Sequence, residues 1–142
     1  MKPFKNSTLL ILAFFIVSFS YSQTAMLAND QKVYKASDMK LLPPDAPGFE
    51  GGIEALNEYL QDNLNYPDLS KRQGMEGTVI LEFEINKEGE IGEITVEKSV
   101  CKEINEEAIR LVENMPNWKP AMQNGQAQAV KFQLPIIFEL KN

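Results

Sequence analysis

Glu82, Glu84, Glu88, Glu90 and Glu93 crowd into one short stretch, the densest gathering in the chain of groups able to move protons or hold a cation. Paired carboxylates can hydrolyse glycosides, and carboxylates at alternate loop positions can bind calcium. Here neither pattern is met. The acids alternate with Phe83 and Ile85 and then fall in the turn "NKEGE", residues 86 to 90, so a solvated strand face explains their spacing. The chain has no histidine, so no serine has an imidazole base, and Cys101, the one cysteine, has neither a group to activate it nor a disulfide partner. It reads as a half-buried structural residue. Gly74 and Gly77 lack the surrounding pattern of a phosphate-binding loop and read as turn glycines. No catalytic residue, metal site, cofactor or small-molecule substrate is expected, and the protein reads as a non-enzyme. Recognition through surface and backbone is the chemistry left.

Charge narrows the partners. Lys and Arg number 14 against 20 Asp and Glu, a formal net charge of −6. Such a balance argues against nucleic acid and anionic lipid, both of which require a basic face. The first 22 residues differ from the rest: Lys2 and Lys5, an apolar run from Leu9 to Phe19, then Ser20-Tyr21-Ser22. This order reads as a cleavable export signal, residues 1–22, with the mature chain starting near Gln23 and working in the periplasm. An apolar run of roughly 11 residues falls short of the roughly 17 to 25 that span a bilayer, so an uncleaved inner-membrane anchor facing the periplasm is the alternative. Without the leader, 12 basic side chains face 20 acidic ones, a formal charge of −8.

The elements that follow must position whatever surface does the recognising. Residues 23–47 lack a sustained period and end in "LLPPDAP", where prolines oppose both helix and ladder, so they read as a flexible tether to a single domain over 48–142. Ile53, Leu56, Leu60 and Leu64 recur at helical spacing, and Pro67 ends that helix by restricting Tyr66. From Thr78 the period becomes two, with Val79, Leu81, Phe83 and Ile85 on one face. Gly89, placed for positive φ, closes a hairpin to a second strand through Ile94 and Val96, with a bulge expected where Ile91 and Gly92 break phase. A second helix over 103–115 gathers Ile104, Ala108, Leu111, Val112 and Met115 on one stripe. The last stretch, "AVKFQLPIIFEL", alternates again.

The plan is α+β, helix-strand-strand-helix-strand, with two helices on one face of a three-stranded antiparallel or mixed sheet. A right-handed crossover through the second helix gives the spatial order 2-1-3. Pro135 fits an edge, where a missing donor faces outward. The last strand is therefore expected outermost, with the rim of Val130, Lys131, Phe132, Gln133, Leu134, Ile136 and Ile137 open to a partner.

Several spaced motifs resemble the TonB C-terminal domain family. "FEGGIEALNEYLQDNLNYP" is similar to its first helix closed by Tyr66-Pro67, and "GMEGTVILEFEINKEGEIGEITV" to its Gly-x-x-Gly hairpin. "EEAIRLVENMPNWKPAMQNGQ" resembles its second helix with Trp118 and Pro120 in a Trp-x-Pro element, and "VKFQLPIIFEL" its closing strand. The resemblance implies a periplasmic, non-enzymatic binding module of TonB-dependent transport across the outer membrane. Its partner would be a TonB-box-like peptide of an outer-membrane receptor, added as a strand at the sheet edge. A membrane-anchored energy transducer and a homodimer paired through the same edge are the alternatives. Tyr66, Pro67, Gly74, Gly77, Gly89, Trp118 and Pro120 carry the structural motif. A corner that fixes the connections is the favoured role of its rings and prolines, and a partner-contacting ridge the other. Ser70, just after Tyr-Pro, is expected on a helix surface.

Overall fold

The computed structural model describes residues 32–141. They form strand β1 (Val33–Lys35), a 3-10 helix (Ala36–Leu41), helix α1 (Gly52–Asn63), the short helix α2 (Asp68–Arg72), strands β2 (Gly77–Ile85) and β3 (Ile91–Lys98), helix α3 (Lys102–Glu113), and strands β4 (Ala121–Gln123), β5 (Gln126–Gln128) and β6 (Val130–Phe138). The leader read over residues 1–22, and residues 23–31 of the tether, lie outside the described residues.

Strict alternation makes β2 and β6 the spine of the sheet. They pair antiparallel in unbroken register from Gly77↔Phe138 to Ile85↔Val130. Val79, Leu81, Phe83 and Ile85 of β2 and Val130, Phe132, Leu134, Ile136 and Phe138 of β6 are all buried. α3 lays Ile104, Ala108, Leu111 and Val112 over this face, and α1 adds Leu56 to the core while the Tyr59 hydroxyl donates to the Leu111 carbonyl at 2.9 Å. The fold is α+β with helices packed against one sheet face.

β3 pairs antiparallel with β2, and between the pairs Phe83↔Ile94 and Ile85↔Ile91 it carries one residue more than its partner. This is the bulge expected near Gly92. A second irregularity falls between Ile80↔Lys98 and Leu81↔Val96.

Two expectations are corrected. The sheet has four strands, in the order β1-β6-β2-β3, because β1 pairs parallel with β6 through Val33↔Lys131, Tyr34↔Phe132 and Lys35↔Gln133. The last strand is thus not outermost along Lys131–Gln133, and residues 32–47 are not a free tether. A single aromatic drives the difference: Tyr34 is only 8% exposed, and its burial orders a segment too short to show a period. The same region is tied further along, where Gly48 and Lys119 exchange backbone hydrogen bonds of 3.1 and 2.8 Å and the Met122 amide donates to the Asp45 carbonyl at 2.7 Å.

Ser70 is a smaller correction. It is 1% exposed rather than on a helix surface, and its hydroxyl lies 3.7 Å from the half-buried Cys101 sulfur. A hydroxyl is small enough to fit under α2 while finding that weak partner.

Candidate strand-docking edge

The Lys131 amide donates to the Lys32 carbonyl at 3.2 Å, so it points away from β2. Alternation in an antiparallel ladder then sends the backbone groups of Gln133, Pro135 and Ile137 to the same outer rim, and those of Val130, Phe132, Leu134 and Ile136 toward β2. Of the seven edge residues expected from the sequence, Lys131, Gln133 and Ile137 therefore turn their backbone groups to the outer rim, where β1 already pairs along Lys131–Gln133. The other four supply core side chains and inner ladder bonds. Beyond Gln133 the rim changes character. Pro135 has no donor there, which removes the next bond β1 could have made, and the chain turns into the 3-10 helix at Ala36.

Lys131 and Gln133 also work on the open face of the sheet. Gln133 donates to Glu82 at 2.8 Å and the Lys131 ammonium lies 3.0 Å from the same carboxylate. The Gln133 bond, helped by Lys131, holds the Glu82 carboxyl below its usual range despite partial burial, and Glu82 in turn raises Lys131. At least one member of the acidic cluster thus serves to bind β2 to β6, and no group of acidic or thiol side chains among the described residues is arranged to hold a metal. Ile137 projects on this same face, 59% exposed.

The structural-motif residues meet as corners. Tyr66 is buried, stacks edge-on against Phe138 at 5.6 Å and donates its hydroxyl to the Met75 carbonyl. Pro67 precedes α2, and Gly74 and Gly77 frame the turn from α2 into β2. Trp118 is 3% exposed, with ring centroids of Phe132 at 4.8 Å and of Phe49 and Phe83 at 5.6 Å. Its amide donates to the Gly89 carbonyl at 2.7 Å, which clamps the β2–β3 turn onto the segment that ends in Pro120. These aromatic side chains are buried.

Sequence reasoning missed the small β4–β5 hairpin beside them. Its signal was present: Asn124-Gly125, with φ of 52° and 77°, is the dipeptide favoured in two-residue hairpin turns.

Residues 62–140, more than half of the chain, match the family described as "Gram-negative bacterial TonB protein C-terminal". The chain belongs to the TonB C-terminal family. It is similar to two solution structures of the Helicobacter pylori TonB C-terminal domain. One is 22% identical, covering 63% of this chain and 95% of that one with a TM-score of 0.49. The other is 23% identical, covering 61% and 78% with a TM-score of 0.46. It is also similar to the Pseudomonas aeruginosa TonB C-terminal domain, at 24% identity over 55% of this chain and 79% of that one, TM-score 0.46. No curated protein matches. Membership of this TonB family is consistent with TonB-related transport and with a protein partner. Among the described residues no helix is long and apolar enough to cross a membrane.

Proposed function

We propose that this TonB-family domain is a non-enzymatic binding module of the cell envelope, exported to the periplasm, that takes an extended segment of a TonB-dependent outer-membrane receptor as an added strand on the outer rim of β6. The observation that supports this reading most is the parallel pairing of β1 with β6: the rim of Lys131 and Gln133 has the geometry to accept a strand. Strand addition draws affinity from backbone hydrogen bonds and selectivity from alternate side chains. Phe132 and Leu134 line the buried side of that ladder, and Lys131 and Gln133 the solvent side.

Titration of the full chain with N-terminal peptides of TonB-dependent receptors, followed through backbone amide resonances, tests it. Shifts at Lys131, Gln133 and Ile137 are expected. Shifts confined to α1 and α3 would exclude docking on this rim.

A further inference from the structure

We infer that residues 32–35 are a resident ligand of this rim: β1 occupies the place of an extended partner segment and must peel away before that segment can bind. The inference rests on reading the β6 rim as the docking edge.

The ladder leaves a guest little choice. β1 uses the outward groups opposite Lys131–Gln133, and its own outer rim spans only Val33 to Lys35. A guest of five or six residues can make a continuous ladder on β6 only in β1's position, where it would also reach Ile137.

The hold on β1 is slight compared with the rest of the sheet. Three residues pair, against the full length of β6 on β2. Tyr34 is the buried side chain of β1, while Val33 is 42% exposed. Lys32 adds its ammonium 4.8 Å from the centre of the Tyr34 ring, at the exposed end. Release of β1 withdraws Tyr34 from the edge of the core but leaves the chain fastened at Asp45 and Gly48, beyond the 3-10 helix and Pro43-Pro44. The arm therefore stays close, at the high effective concentration of a short linkage, and only a guest that outcompetes it docks.

β1 also specifies what such a guest looks like. It runs parallel to β6 and places a large aromatic or apolar side chain where Tyr34 meets Phe132, flanked by residues that tolerate solvent, as Val33 and Lys35 do.

A labelled synthetic peptide of residues Lys32–Ser37 is the probe, titrated against the full chain by fluorescence anisotropy. Tyr34→Ser is expected to bind it about ten-fold or more tighter than the natural chain, since affinity scales with the fraction of open rim. Val33→Cys with Lys131→Cys, at register partners, locks β1 when oxidised; binding is expected to vanish and to return on reduction. Oxidised against reduced decides the matter even where Tyr34→Ser does not fold. Equal binding, or none, in all forms overturns the inference, as does a dimer of Tyr34→Ser that fills the vacated rim without gain for the peptide. Receptor peptides run alongside separate the two readings. Should they bind no form while the Lys32–Ser37 peptide responds as expected, receptor docking falls and the resident strand stands. Should they bind the oxidised and reduced forms equally, the resident strand falls and docking stands.

Discussion

Tyr34 lies directly opposite Phe132 across a parallel strand pair, on a sheet whose other pairings are antiparallel. One face of that contact is core and the other edge is water, so the two sides of β6 differ in stability. Amides that bond to β2, such as Phe132 and Leu134, open only with the whole sheet, whereas the Lys131 and Gln133 amides open when β1 lifts. Native-state hydrogen exchange is expected to give the Lys131 and Gln133 amides clearly lower protection than Phe132 and Leu134. Equal protection of all four would mean that β1 is as fixed as the spine.

Gly89 shows why one glycine differs from another. At φ +83° it lies in the left-handed region, and a Cβ there would collide with the Trp118 carbonyl, the segment its own carbonyl binds. Gly125, at φ +77°, has nothing within 4 Å. Gly125→Ala should cost about 1–2 kcal/mol from backbone conformation alone. Gly89→Ala adds overpacking of about 1–3 kcal/mol. Urea denaturation of the two variants measures the gap; equal losses would show that the turn shifts freely away from Trp118.

The sheet spine, both long helices and the bulge at Gly92 were legible because each carries its own periodic or turn signal. Val79 to Ile85 and Val130 to Phe138 alternate without a break, and Ile104 to Val112 keep helical spacing. Pro135 pointed to an edge for the whole last strand, but β1 lies beyond β6 along Lys131–Gln133. β1 itself was not legible. Three residues make no period, and what holds β1 is a long-range meeting of Tyr34 with Phe132, which no local pattern encodes. Glu107 was hidden for a similar reason: on its helix it reads as one more surface acid, and its long-range partner, the Asn65 amide, lies 42 residues away.

That buried acid makes stability depend on pH. Glu107, 8% exposed, accepts from the Asn65 amide and twice from Arg110, each at 2.7 Å, and Arg110 also donates to the Asn63 carbonyl at the end of α1. Burial pushes its carboxyl up, but the Arg110 and Asn65 bonds together outweigh burial and hold it below the ordinary value of 4.5. A carboxyl lowered by folding contributes stability that is present above its unfolded value and lost as pH falls through the folded one. Stability is therefore expected to drop on acidification from about pH 5 downward. Glu107→Gln should cost about 1–3 kcal/mol at neutral pH, a loss discounted because Arg110 is part-exposed, and should flatten the acid limb. Some slope persists, because Glu82 is also lowered by folding. Urea midpoints measured from pH 3 to 7 check this; an unchanged acid limb in the variant would remove Glu107 from the account.

Trp118 separates a core role from a contact role. Its indole Nε1 is buried without a hydrogen-bond partner among the described residues, and its ring touches Phe49, Phe83 and Phe132. The contribution is then area and shape, with no hydrogen bond to lose. Trp118→Ala should cost about 3–5 kcal/mol, and Trp118→Phe distinctly less, because the benzyl ring fills much of the same space and leaves no orphaned acceptor. As Trp118 is the single tryptophan in the chain, its emission reports the site directly: blue-shifted in the folded protein and unmoved when a peptide binds at the β6 rim. Peptide affinity should be the same for Trp118→Phe and the natural chain. An alanine variant as stable as the natural chain but weaker in peptide binding would instead make Trp118 part of the docking surface.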